Sequence, residues 1–320
     1  MKVICVERLS ENRLARYHSI CGECISEKGS KIIKLHDDEI RNKISEFRVD
    51  WPGGKITKVK MKGFIIDRVK VIERLRKDAE SNGATFINSS ATNISKLDSG
   101  YEITLRSGKS FVAKYVLGAD GAFSTVRKQL FHNKPDKIIP VEMRVLDKQP
   151  ENPNSICFKL KGKGKYYSWD FPYGSGSSVG AIRGCLDSSE GVHGARFIPI
   201  GYPDVIVKDN AALIGDAAGL VNPLSFGGLR IAFDSAKHAS DAIVKGDLSQ
   251  YQKWWDKSPL SDKRFMKLSE TFAGYDDQEY ADFSKHLGGG YWSGGIISVF
   301  TRPKLAWAYF GCMMVLKNGW

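Results

Sequence analysis

Apolar positions along the chain follow two periods, and each period predicts its own kind of element. Short apolar or alternating runs read as strands: Lys2 to Arg8, Phe47 to Trp51, Ile56 to Met61, Thr85 to Ile87, Tyr101 to Leu105, Phe111 to Leu117, Ser155 to Leu160, Tyr166 to Gly174, Ser178 to Cys185 and Ala211 to Ile214. Turn residues separate them, among them Pro52-Gly53-Gly54 and Ser107-Gly108. A helical period takes over in Val69 to Asn82, where Val69, Ile72, Leu75 and Ala79 share a face and Gly83 marks the stop. It returns in Gly228 to Val244, Tyr251 to Trp255, Phe265 to Phe272 and Glu279 to Leu287. Strands therefore fill most of the first two thirds of the chain, and helices the rest.

Two places join a strand to a helix through glycine and aspartate. One is Val116-Leu117-Gly118-Ala119-Asp120-Gly121, running on through Ser124 to Arg127. The other is Ile214-Gly215-Asp216-Ala217-Ala218-Gly219, running through Pro223 to Gly227-Gly228-Leu229. Such a turn presents backbone N–H groups, and the helix dipole beside it favours an anion. The aspartate can instead take a hydroxyl of a sugar or polyol. An ordinary junction with a structural aspartate satisfies the same pattern. A third acid, Glu7, ends the first strand, where dinucleotide-binding folds place a ribose ligand. No GxGxxG stands upstream of it, so the chain is expected to begin at the second strand of such a fold, without roughly thirty residues of βαβ unit. Gly174-Ser175-Gly176 does not replace the motif, because Val179 occupies the third glycine position and no helix follows; it reads as a hairpin turn.

Composition narrows the classes. At 320 residues and 42% apolar, the chain can bury one large or two moderate cores. The formal charge of +12 is spread as scattered lysines without a nucleic-acid motif, so phosphorylated ligands or an anionic membrane surface suit it better than DNA. Six cysteines without regular spacing exclude a secreted disulfide framework and fit a reducing cytoplasm. The N-terminus has neither signal peptide nor anchor character. The apolar run Leu305 to Leu316 falls short of the ~20 residues a membrane span needs; with Lys304, Trp307, Lys317 and Trp320 around it, it could dip into a membrane surface or cap a cavity. Cys21 and Cys24 form a CxxC that is half a zinc site, a thiol pair or an accident; no second pair completes a zinc site, and no metal is expected. In Tyr167, Trp169 and Phe171, alternation puts three rings on one strand face, as a core stripe or as the wall of a site for a long hydrocarbon.

The two aspartate junctions and the Tyr167-to-Gly174 strand are similar to the GADGxxSxVR, GDAAGxxxP and YxWxFPxG motifs of geranylgeranyl reductases, FAD-dependent flavoproteins of the hydroxylase type. The resemblance runs from Lys2 to about Leu287. It implies an α/β chain, α+β overall: an incomplete Rossmann-like FAD-binding domain (1–30, 65–130 and 201–245), an inserted antiparallel-sheet substrate domain (31–64 and 131–200), and a C-terminal helical segment (246–320). Glu7, with Arg8, would lie at the ribose. Asp120, Gly121 and Arg127 would lie near the diphosphate, and Gly215, Asp216, Ala217 and Pro223 at the ribityl chain or diphosphate. The Gly227-Gly228-Leu229 backbone would meet the isoalloxazine edge, although Phe226 and Arg230 depart from the family pattern there. Arg68 would be structural or cofactor-proximal. Tyr167, Trp169, Phe171 and Pro172 would line an isoprenoid tunnel. Cys21 and Gly22 would be site residues, Cys24 structural.

The activity so implied is reduction of isoprenoid double bonds of archaeal-type membrane lipids or their precursors. Its partners would be a prenyl lipid and an electron donor: ferredoxin, a deazaflavin or NAD(P)H. The protein would be cytoplasmic, or peripheral on the inner membrane face. A flavin monooxygenase or halogenase-like enzyme would share both aspartate motifs. A chain without the glycine fingerprint could also be a flavin-free lipid-binding remnant. No residue stands out as the proton donor that alkene reduction requires.

Overall fold

The computed structural model describes residues 1–186 and 189–285. The triple glycine at 288–290, the apolar run at 305–316 and the end of the expected helix at 285–287 lie wholly or partly outside the described residues.

The chain opens with β1 (Ile4–Glu7), α1 (Glu11–His18), the short strand β2 (Cys24–Ser26) and α2 (Glu27–Ile32). A long hairpin follows, β3 (Ile40–Asp50) and β4 (Ile56–Ile66). Its turn works because Gly53 and Gly54 both take a left-handed φ, 82° and 81°, letting the Trp51 N–H reach the Lys55 carbonyl at 2.8 Å. Asp67 then accepts from the Lys70 N–H at 3.1 Å and starts α3 (Arg68–Ser81), which stops at Asn82 before Gly83 at φ 88°. The deepest position on α3 is Val71, outside the expected quartet; it packs with Ile25, Ile33 and Ile66, and of that quartet Leu75 joins the same cluster.

Next come β5 (Thr85–Asn88), the meander β6 (Ala91–Leu97), β7 (Gly100–Leu105) and β8 (Ser110–Ala113), then β9 (Val116–Gly118) and α4 (Thr125–Leu130). The middle of the chain is β10 (Lys137–Leu146), β11 (Ser155–Leu160), β12 (Tyr167–Tyr173), β13 (Gly176–Ile182) and β14 (Val192–Ile200). The chain returns through β15 (Val207–Lys208), β16 (Ala211–Leu213), the single turn α5 (Gly215–Ala218) and the long α6 (Leu229–Val244), ending in α7 (Ser249–Asp256), α8 (Lys263–Gly274) and α9 (Asp277–Ser284).

Two regions result. An eight-stranded sheet, in the order β14-β10-β13-β12-β11-β3-β4-β2, is antiparallel except where β11 runs parallel to β3. Beside it stand smaller sheets: β1 parallel to β5, the β6-β7-β8 meander, and β15-β16-β9, in which β16 runs parallel to β9. One core joins β7, β9, β16, α4, α6 and α7 through residues such as Ile103, Leu213, Leu220, Ala239 and Trp255. A second lies on the large sheet around Phe158, Tyr167 and Phe171, covered by Phe226 and by Phe265 of α8. The last helices divide between the two: the α7 Tyr251 hydroxyl donates to the Leu213 carbonyl at 2.8 Å, whereas α8 and α9 pack around Trp51 of the sheet.

Candidate functional site

Because β16 is parallel to β9, with Leu213 opposite Gly118, the two glycine–aspartate junctions leave one small sheet side by side. Glycine is required at both. A Cβ on Gly118 would stand 2.8 Å from Leu213 and Val126, and Gly215 has φ 51° with its Cβ direction 3.1 Å from that of Ala232. The Gly215 N–H is held by Ser235 Oγ at 3.0 Å. Ala217 is buried beside it.

Asp216 faces the start of α6, where a Cβ on Gly228 would meet Asp216 Oδ1 at 3.3 Å and Val221 at 3.1 Å. Burial raises the Asp216 carboxyl above its ordinary value, and Arg68 opposes the rise. The intervening loop is held by the buried Asn222, whose side-chain oxygen accepts from the N–H groups of Leu224 at 2.9 Å and Ser225 at 3.2 Å. Its backbone N–H reaches the Gly227 carbonyl at 3.0 Å. The result is a close approach of the Gly228 backbone to Asp216 and Val221, at a helix start where Gly228 supplies no side-chain cap. Leu229 sends its side chain to the cluster around Ile25 and Val71.

The other junction serves a different purpose. Asp120 accepts from Ser124 Oγ at 2.5 Å, from the Thr125 N–H at 2.6 Å and from the Val126 N–H at 3.2 Å, so its carboxylate caps α4. Arg127 is 2% exposed, and its guanidinium donates to Asn133 Oδ1, the Lys134 carbonyl and the Gly201 carbonyl. Desolvation lowers it to about 10. Asp120 and Arg127, expected near a phosphate, thus spend polar atoms on a local cap and a buried strut, while Arg127 Nη1 is buried without a hydrogen-bond partner. Gly121, at φ 78°, turns the chain past the Tyr17 hydroxyl. Glu7 ends β1 as expected, with Oε1 accepting from the Leu9 N–H at 2.8 Å, and Arg8 is exposed beside it.

Between the two regions stand Arg68, expected to be structural or cofactor-proximal, and groups that sequence reasoning did not single out, Tyr17, His18 and Arg196. The Arg196 guanidinium lies 3.5 Å from the centre of the Tyr17 ring. Arg68 Nε, Arg196 Nε and Nη2, and His18 Nδ1 are buried without hydrogen-bond partners. Burial first, then Arg68 and Arg196, pushes His18 down to about 3, so its ring is neutral. Their only sequence signal was the Asp67-Arg68 pair ahead of α3.

On the large sheet, Tyr167, Trp169 and Phe171 share one face. Phe158 touches Tyr167 and Phe171 at centroid distances of 4.8 and 5.2 Å, and the Tyr167 hydroxyl donates to the Ser225 carbonyl in the loop before α6. A cavity of about 110 Å³ opens between this strand, Trp51 and Phe47 of the β3–β4 hairpin, Leu224 and Phe272. Tyr167 lines it, and so does Pro223, whose carbonyl accepts from Ser269 Oγ at 2.7 Å. Trp169 and Phe171 continue the same face beyond the cavity. There Gly22 lies so close that a Cβ would stand 3.0 Å from the Phe171 ring. Pro172, expected among the lining residues, alternates to the face opposite Phe171.

The Cys21–Cys24 loop thus sits against the aromatic strand. Burial raises the Cys24 thiol far above its ordinary value, the behaviour of an inert core thiol. Among the described residues, no group of three or more His, Cys, Asp or Glu could hold a metal ion. No described helix is long and apolar enough to cross a membrane.

No family model matches the chain. It is 26% identical to a digeranylgeranylglycerophospholipid reductase from Methanococcus vannielii, over 73% of this chain and 72% of that one. It is 27% identical to a geranylgeranyl diphosphate reductase from Rhodobacter capsulatus, over 70% and 66%. Among solved structures, a geranylgeranyl bacteriochlorophyll reductase-like protein from Thermoplasma acidophilum superposes with a TM-score of 0.70 at 19% identity, covering 90% of this chain and 91% of that one. A probable FAD-dependent monooxygenase from Pseudomonas aeruginosa reaches 0.66 at 16% identity, over 88% and 92%. The fold is that of Rossmann-type flavoproteins.

Proposed function

We infer that the chain belongs to the geranylgeranyl reductase family of FAD-dependent flavoproteins and reduces isoprenoid double bonds of prenyl lipids. The observation that carries this reading is a contact. Tyr167, on the wall of an apolar cavity, bonds the Ser225 carbonyl in the loop that leads from Asp216 to the α6 N-terminus. That bond ties an apolar site suited to hydrocarbon to the glycine–aspartate junction suited to a phosphorylated, hydroxylated cofactor.

The residues present fit FAD. Gly228 lets the start of α6 approach Asp216 where any side chain would crowd it, and Arg68 Nε is a buried donor lacking an acceptor. The first turn of α6 carries no side-chain cap, which leaves its N–H groups for a ligand, and Glu7 ends a parallel strand, where a ribose ligand is expected. When bound and reduced, FAD supplies a hydride to one carbon of the double bond. This chain's residues do the rest: Asp216, Arg68 and the Gly227-Gly228-Leu229 backbone bind, while Tyr167, Trp169 and Phe171 orient the prenyl chain and exclude water. The substrate would be an archaeal-type prenyl lipid or its precursor, met at a membrane surface, with electrons from ferredoxin, a deazaflavin or NAD(P)H.

The test is to load the purified protein with FAD, record the flavin spectrum, reduce the flavin chemically and add a digeranylgeranyl glycerophospholipid without oxygen. Mass spectrometry should show one hydrogen pair gained per double bond. A flavin-loaded protein that leaves the lipid unchanged and instead consumes oxygen with an aromatic substrate would point to the hydroxylase reading.

A further inference from the structure

Reduction of a carbon–carbon double bond takes a hydride at one carbon and a proton at the other. The electron pair leaves the reduced flavin with the hydride, and the proton must come from a group on the protein or from water. One buried acid is placed for this task. Glu23, inside the Cys21–Cys24 loop, is fully buried and sits at φ 54°, a left-handed conformation that glutamate adopts only under constraint. Its carbonyl is tied to the Ile66 N–H at 3.0 Å, which pins the residue to the end of β4. Its Oε2 accepts from Arg41 Nε at 3.1 Å, while Oε1 is buried without a well-formed hydrogen bond, the Tyr173 hydroxyl standing beside the carboxyl. The preceding Gly22 lies on the Phe171 ring, two positions along the same face from Tyr173. The Arg41 guanidinium stacks 4.5 Å over the Tyr173 ring and pairs with the half-buried Asp67 at 2.9 Å.

We propose that Glu23 is the proton reservoir of this site: its proton passes by way of the adjacent Tyr173 hydroxyl, on the same strand face as Phe171, to the carbon that does not receive the hydride, and is regained from solvent on the Asp67 side of the carboxyl. This rests on the functional reading above. An ionised carboxylate with a poorly bonded buried oxygen is costly, whereas a proton on Oε1 leaves Oε2 free to accept from Arg41. The groups facing Glu23 are Arg41 from β3, Asp67 and Arg68 from the β4–α3 junction and Tyr173 from β12. Burial, aided by Asp67 and opposed by Arg41 and Arg68, lifts the carboxyl to about 8. It is therefore protonated at neutral pH and able to give its proton up.

Glu23→Gln preserves the acceptor for Arg41 and removes the titratable proton, and Glu23→Asp keeps a carboxyl. In the FAD-loaded protein with a prenyl lipid, Glu23→Gln should lower turnover on the order of a hundredfold. It should also abolish the alkaline fall in the wild-type pH profile, while flavin absorbance stays intact; Glu23→Asp should recover part of the rate. Infrared difference spectra of the wild-type protein, needing no turnover, should show a carboxylic C=O band that vanishes with a midpoint near 8 and is absent in Glu23→Gln. A folded, flavin-loaded Glu23→Gln variant with wild-type turnover and pH profile overturns the proposal, and so does a wild type lacking that band. A wild type that binds FAD and reduces no prenyl chain overturns the function itself, and with it the role of Glu23.

Discussion

Arg127 bonds two backbone carbonyls, of Lys134 and Gly201, and the Asn133 side chain from a position almost without solvent. Removing its guanidinium leaves buried acceptors unpaired at about 1–3 kcal/mol each. Arg127→Met should therefore lower the urea midpoint clearly and leave the affinity of the folded protein for FAD unchanged, as read by flavin fluorescence. Asp120→Ala, which removes the acceptor of the Thr125 and Val126 N–H groups at the start of α4 and leaves the Ser124 cap in place, should cost about 1 kcal/mol by the same measurement. Both residues show why a motif underdetermines a role. The letters of Gly118-Ala119-Asp120-Gly121 and Ser124 to Arg127 fix a strand–turn–helix junction, but an aspartate there can bind a ligand or the next helix, and only the position of the helix N–H groups decides. Asp216 also stands between a strand and a helix, but there the neighbouring glycine, Gly228, brings the backbone of the helix start close to its carboxylate. Glu23 was legible as an acid between two cysteines; its burial depended on β2 joining the edge of the large sheet, which a three-residue strand does not announce.

Among the elements, α6 and the β12 strand define the site together, and each can be tested alone. Valine at Gly228 would press a branched side chain against Val221 and Asp216 at the mouth of α6. Gly228→Val should weaken FAD retention at least tenfold, an order-of-magnitude expectation for losing about 1.4 kcal/mol of binding, with the far-UV circular dichroism preserved. On the sheet, a Cβ at Gly180 would lie 2.0 Å from the Trp169 indole. Gly180→Val must therefore displace Trp169, shifting its fluorescence and reducing activity on prenyl substrates more than flavin binding. The elements themselves were largely readable. Periodicity located α3 and α6 to within a residue or two of Arg68–Ser81 and Leu229–Val244, and alternation located β11 and β12. It missed β6, whose sequence Ala91-Thr92-Asn93-Ile94-Ser95-Lys96-Leu97 buries Ile94 alone, so its strand character comes from pairing with β7 and not from its own pattern.

Across the whole molecule, two buried groups pull stability in opposite directions with pH. Glu23 has its folded value raised to about 8 from an ordinary 4.5, so the folded state holds a proton that the unfolded chain gives up, and stability falls as pH rises between those values. His18 has its folded value lowered to about 3 from 6.5, so the unfolded chain binds the extra proton, and stability falls as pH drops across that range. The two slopes oppose one another in the overlap from 4.5 to 6.5. Denaturant titrations should find Glu23→Gln flattening the alkaline side of the profile, and His18→Gln the acidic side.

The large sheet also has a seam, the parallel pairing of β3 with β11 between Ser155–Lys159 and Glu46–Asp50. No tight turn can join two parallel strands, so this contact closes a long loop and forms slowly. While the chain is being synthesised, the β3–β4 hairpin emerges with one edge unpaired and must wait for β11 to leave the ribosome. The wall of the apolar cavity is thus a late event in the life of each molecule, and the exposed edge of β3 is where a nascent chain is open to capture by a chaperone or by another copy of itself.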